Sequence, residues 1–280
     1  MESFFSLLER RVDDCSSLLC VGLDPHTADL AGPTAAAAAE FCARLVRATA
    51  PYAAAFKPNA AFFEVLGPEG WAALKDVIDG VRAESQRLGS HIPVILDAKR
   101  GDIASTAEAY AASAFDKLGV DAITLSPFLG KDSIDPFIRN PEKGAFLLCK
   151  TSNAGSADLQ DLDVMPAGSG APMPLYAHIA RLAAQWNTSN NIGLVAGATH
   201  PGTMAGIRSA APAMWLLAPG VGAQGGDLRV ALRAGMRPDG KGMLVNVSRA
   251  ISREPDPRKA AAEIRDVMAD ERGKLIGGAR

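Results

Sequence analysis

A chain of 280 residues is long enough for one large domain or two small ones, and for a full apolar core. Basic and acidic residues nearly cancel, leaving a formal net charge of −2, so no global field points to nucleic acid or a membrane surface, although a local basic pocket for phosphate stays possible. No uninterrupted apolar run approaches membrane-spanning length, and the amphipathic start from Met1 to Arg10 lacks the basic-then-apolar order of a secretion signal.

The four cysteines, Cys15, Cys20, Cys42 and Cys149, lack paired spacing, and Cys20 and Cys149 fall in strand-like runs. Reduced core thiols and a cytoplasmic location are expected from that usage.

Eight short apolar runs alternate with helical spacings. The first, 18–23, is followed by Pro33, Thr34 and an alanine-rich run to Ala50, and the second, 53–57, by a helical pattern over 71–88. After the third, 94–97, Ile103, Ala107, Tyr110, Ala114 and Leu118 make one apolar stripe. The fourth, 122–125, leads only to a short segment at 132–138. The fifth, 145–149, leads to 154–174, rich in Gly, Ala, Ser, Asp and Pro, which we read as a long inserted loop of the kind that forms lids. A helix over 174–186 precedes the sixth run, 192–196, and helices over 201–209, 228–234 and 257–269 follow the sixth, seventh (215–218) and eighth (243–247) runs.

Each run is apolar on both faces, as in parallel strands covered by helices. Eight alternations, with no glycine-rich dinucleotide signature after the first run, predict a single-domain α/β protein over 1–280, a (β/α)8 TIM barrel rather than an open doubly wound sheet.

In such a barrel the active site lies at the carboxyl ends of the strands. The runs end in Asp24-Pro25-His26, Lys57-Pro58-Asn59, Asp97-Ala98-Lys99-Arg100-Gly101-Asp102, Lys150-Thr151-Ser152-Asn153, a glycine-rich turn over 219–227 containing Gln224, and Ser248-Arg249. Strand alternation sends Asp97 and Lys99 to one side, and Asp102, opening the next helix-like segment, can return a third charge. Any one of these also reads as a surface ion pair or a helix N-cap. With Lys57 they form an alternating Lys-Asp-Lys-Asp array, in which neighbouring charges offset the cost of burial and keep both lysines protonated.

Closely spaced glycines, Gln224 and the planar fork of Arg249, at the seventh and eighth strand ends, suit a phosphate. Asp24 is placed to accept sugar hydroxyls. We read His26, His91, His178 and His200 as structural, with His200, near the sixth strand end, the one to reconsider. No histidine and carboxylate cluster at ligand spacing indicates a metal.

These motifs, with Val21-Gly22-Leu23 before Asp24, Phe56 before Lys57, Thr106 after Asp102, and Asn246-Val247 before Ser248, resemble the orotidine 5′-phosphate decarboxylases in their longer bacterial form. The resemblance runs over nearly the whole chain. It implies a homodimer with shared active sites, converting orotidine 5′-phosphate to UMP without a cofactor, as the last step of pyrimidine nucleotide synthesis. It further implies that Lys57, Asp97 and Lys99 come from one subunit, with Lys99 the proton donor, and that Asp102 and Thr106 come from the other. Asp24 and Thr106 would hold the ribose, Ser152 the pyrimidine edge, and Gln224 and Arg249 the phosphate. Two departures stand out: the 154–174 insertion lies on the pyrimidine side, and Lys57 and Asp97 are farther apart in sequence than in compact members. The alternatives are a metal-dependent sugar-phosphate decarboxylase or aldolase on the same barrel, and a non-catalytic nucleotide-binding barrel. Lys57, where the metal-dependent relatives carry glutamate, and Thr151-Ser152-Asn153 with Gln224 weigh against the first, and the intact charge array weighs against the second.

Overall fold

The eight runs fold as parallel strands: β1 (Leu19–Leu23), β2 (Ala55–Pro58), β3 (Ile95–Arg100), β4 (Ala122–Leu125), β5 (Gly144–Lys150), β6 (Ile192–Ala196), β7 (Leu216–Ala218) and β8 (Met243–Val247). This is a computed structural model, and it describes residues 2–166, 171–222 and 225–278. The ladder runs β2-β1-β8-β7-β6-β5-β4-β3. Its two ends meet through parallel bridges at Phe56 with Val94 and at Asn59 with Asp97, where Phe56 N–H donates to Pro93 O (2.9 Å) and Ala60 N–H to Asp97 O (3.1 Å). The strands thus enclose the barrel that the apolar runs predict.

Outside lie α1 (Phe4–Cys15), α2 (Ala35–Thr49), α3 (Gly67–Leu88), α4 (Ala104–Ala112), α5 (Leu175–Trp186), α6 (Pro201–Ala210), α7 (Leu228–Gly235) and α8 (Pro257–Gly278). Each buries an apolar stripe; α2, capped by Thr34 Oγ1 on Ala37 N–H, turns Phe41, Cys42, Leu45 and Val46 inward. Among the described residues no helix is long and apolar enough to cross a membrane.

Three local expectations change. Ile103, assigned to the buried stripe of α4, is 53% exposed; α4 widens into a π-helical stretch, Ser113–Leu118, and the buried positions are Ala107, Ala111, Ala114 and Leu118. The region read as a loop over 154–174 holds, in its described residues, a 3-10 turn (Ala154–Ser156), one helical turn (Ala157–Gln160) and an antiparallel pair, Asp163–Val164 with Met173–Pro174, while 167–170 lie outside the described residues. Elements of two to four residues are too short to leave a periodic signature.

The third change is α1, noted in the sequence only as amphipathic. It closes the amino-terminal end of the barrel. Phe5 stacks on Trp215 at 5.8 Å and meets Phe146 edge-on at 5.6 Å, while Phe4 lies so close to Gly144 that a Cβ there would approach its ring to 2.4 Å. With this end filled, the opposite rim is left for chemistry.

Candidate active site

Lys57, the third residue of β2, is only 3% exposed, and its ammonium has to find an anion or lose its proton. It lies 2.7 Å from Asp97 Oδ2, across the β2–β3 seam that closes the barrel. The other oxygen, Asp97 Oδ1, accepts from Lys99 Nζ at 2.6 Å and from Thr124 Oγ1 at 3.1 Å. Asp97 and Lys99 do meet, but not by simple strand alternation: pairing of β3 with β4 breaks after Leu96 and resumes at Arg100, and Lys99 sits at φ +48°.

Burial alone would push Lys57 down and Asp97 up. The Asp97 and Asp24 charges outweigh it at Lys57, holding the ammonium above the ordinary lysine range, and Lys57 and Lys99 hold the Asp97 carboxyl well below the carboxylate range. Lys57 and Asp97 are therefore both charged at neutral pH.

A cavity of about 390 Å³ opens from these side chains toward Asp24, Thr151 and Ser152. It adjoins one of about 270 Å³ lined by His26, Phe62, Gly220, Ser248 and Arg249, and the two share Asp24, Asn59, Pro219 and Asn246. Around the junction Asp24 Oδ1, Asn246 Oδ1 and Ser248 Oγ are buried without a hydrogen-bond partner among the described residues, which suits a ligand carrying hydroxyl and phosphate groups. Gly22 lets this wall form, because a Cβ there would lie 2.7 Å from Ser248 Cβ. A larger groove of about 640 Å³ lies elsewhere, between Ala250 and α8, and shares no residue with the charged array.

Arg249 reaches the second cavity and makes no ion pair among the described residues, so its fork is available to an anion. Gln224, the other expected phosphate ligand, lies outside the described residues. The glycine-rich turn uses its amides on itself: Gly222 N–H donates to Gly226 O, Gly225 N–H to Gly222 O, and Gly226 N–H to Gly220 O. Ser152 borders the first cavity. The insertion beyond it is pinned to the end of β5 by buried Lys150, 2.6 Å from Asp161, and by Thr151 with Gln160.

Asp102 and Thr106 do not join the array within this chain. Asp102 accepts from Ile103 N–H and makes no ion pair among the described residues, and Thr106 is exposed. Sequence reasoning missed Thr124, Asn59 and Asn246, and set His26 aside as structural although it lines the second cavity with its ring 4.4 Å from Phe62. Asn59 and Asn246 stood inside quoted motifs, and Thr124 was a lone hydroxyl in an apolar run. Among the described residues no three His, Cys, Asp or Glu side chains are grouped to hold a metal ion.

Fold and site together define a (β/α)8 barrel with an ion array at its carboxyl rim. A profile of the orotidine 5′-phosphate decarboxylase / HUMPS family matches residues 17–264. The orotidine 5′-phosphate decarboxylase of Roseiflexus castenholzii is 46% identical over 277 residues, covering 95% of this chain and 97% of its own length. The structure of Leishmania donovani OMP decarboxylase superposes with a TM-score of 0.86 at 52% identity, over 96% of this chain and 99% of that one. Leishmania donovani UMP synthase gives 0.87 at 53% identity over 97% of this chain, which spans only 57% of that longer protein. The chain belongs to the orotidine 5′-phosphate decarboxylase / HUMPS family.

Proposed function

We propose that this protein decarboxylates orotidine 5′-phosphate to UMP and CO2 without a cofactor, the last step of de novo pyrimidine nucleotide synthesis. The observation that carries this reading is the Lys57–Asp97–Lys99 array, buried at Lys57 and Asp97 and exposed at Lys99, where it opens into a cavity that adjoins the one reaching Arg249. In this step the ring–carboxylate bond breaks, the electron pair stays on the ring carbon, and Lys99 Nζ donates a proton to that carbon. The ammonium stabilises the developing charge before it gives up its proton and becomes a neutral amine, so electrostatic and general-acid catalysis share one group.

Asp97 faces the substrate carboxylate. Two like charges about 4 Å apart at an effective dielectric of about 20 repel by roughly 4 kcal/mol. Complete relief of that repulsion supplies about three decades of rate. The rest has to come from binding energy remote from the reacting bond. Arg249 and Gln224 on the phosphate, and Asp24 on the ribose, can hold the carboxylate against Asp97. Ser152 takes the pyrimidine edge.

A homodimer completes the site. Asp102 and Thr106 make no hydrogen bond or ion pair with their own array among the described residues, and the segments after β2, β3 and β4 carry the exposed apolar side chains Val65, Ile103, Phe128 and Leu129. A partner docked there would receive Asp102 as the fourth charge and Thr106 as a ribose ligand. We treat 1–280 as one barrel domain with the insertion at 154–174, and four buried free thiols suit a reducing cytoplasm.

The test is the ultraviolet loss of orotidine 5′-phosphate with purified protein in excess EDTA. Stoichiometric UMP should form at an undiminished rate, and Lys99→Ala should abolish turnover while still binding UMP. Activity that disappears with the chelator would instead support metal-dependent sugar-phosphate chemistry on this barrel.

A further inference from the structure

Thr124 of β4 is 2% exposed, and its hydroxyl makes three hydrogen bonds at the centre of the array. It donates to Asp97 Oδ1 at 3.1 Å and accepts from the N–H groups of Ala98 at 3.1 Å and Lys99 at 3.0 Å. One O–H and two lone pairs are thereby all used.

The three partners share one geometric problem. From Leu96 to Arg100 β3 advances four residues, while its neighbour β4 advances two, from Ile123 to Leu125, so the bulged amides of Ala98 and Lys99 lack ladder partners on β4. Lys99 also holds a left-handed backbone conformation, φ +48°, that side-chain-bearing residues rarely adopt. That bulge is what returns Lys99 Nζ to within 2.6 Å of Asp97 Oδ1, the oxygen that Thr124 also bonds.

We propose that Thr124 is a positioning residue for decarboxylation: its hydroxyl clamps the β3 bulge and one Asp97 oxygen, so that Lys99 is aimed and Asp97 Oδ2 stays on Lys57. The proposal rests on the reading of Lys99 as proton donor. It assigns the hydroxyl, not the methyl, because only the hydroxyl meets the bulge amides and the carboxylate.

Thr124→Val removes the hydroxyl at nearly constant volume, and Thr124→Ser keeps it. For Thr124→Val we expect kcat to fall about 30-fold, within the range that an ångström-scale misplacement produces, with UMP affinity within about twofold of wild type. Thr124→Ser should stay within about threefold of wild type. Wild-type kcat in the valine variant overturns the proposal, as do equal losses in both variants or a loss expressed only in KM. So does a kcat loss in step with lost melting temperature and UMP affinity, which marks a structural role. Lys99→Ala separates the two levels: a fully active Lys99→Ala enzyme removes the underlying reading, whereas an inactive one beside an unimpaired Thr124→Val removes the clamp alone.

Discussion

At the scale of single residues, burial and pairing pull in opposite directions, and Asp97 shows which wins. Its carboxyl is held below the ordinary carboxylate range, so the stability it contributes is present above the unfolded value near pH 4 and is lost as pH falls through the lowered folded value. Lys57 is held above the lysine range, so its contribution is present below the unfolded value near 10.4 and is lost as pH rises through the raised folded one. Between about pH 5 and 9 neither group should impose a slope on stability. Asp97→Asn should change that. With its main partner gone, buried Lys57 is dominated by desolvation, so the folded state disfavours its proton. The variant should lose on the order of 3 kcal/mol at pH 7, and its deficit against wild type should shrink by pH 9.5. Denaturant melts at both pH values check this; an equal deficit at the two would show that Lys57 does not depend on Asp97. The Lys57 to Asp97 pairing was legible in the sequence because both residues end apolar runs, whereas Thr124, a strand residue with one hydroxyl, had no signal until its neighbours were known.

At the scale of elements, the barrel needs an end that is closed so that the other can open. Helix α1 supplies the closure with Phe4 and Phe5, against Gly144, Phe146 and Trp215. Phe5→Ala should cost about 3–5 kcal/mol in denaturant unfolding, the usual price of an aromatic removed from a packed core. Its kcat should stay near wild type, because the cavity it leaves lies at the strand ends remote from Lys99. A large loss of kcat with little loss of stability would mean that the two ends are coupled. Strand and helix positions were legible here because eight apolar runs bounded by turns repeat one pattern. The 154–174 segment was not, since its pieces are held by single contacts such as Lys150 with Asp161 rather than by a periodic face.

At the scale of the whole molecule, the proposed dimer makes a sharp prediction. If Asp102 serves the partner's site, Lys99→Ala and Asp102→Ala proteins should each be inactive. Mixed and allowed to exchange subunits, they should recover about a quarter of wild-type activity, because half the dimers are hybrids with one intact site. Mixing that restores nothing, with exchange verified by mass-labelled subunits, would place Asp102 in its own chain's site. Subunit composition belongs to this scale because Asp102 and Thr106 do not join the array of the chain that carries them. By itself the sequence determined the barrel and the set of strand ends that carry charge, since hydrophobic period and the residues that interrupt it are local properties of the chain. Only the tertiary structure decided how Lys99 reaches Asp97, which hydroxyl holds it there, and what closes the far end of the barrel. Those depend on the register between neighbouring strands and on contacts between residues distant in the chain, such as Thr124 with Asp97 and Phe5 with Trp215.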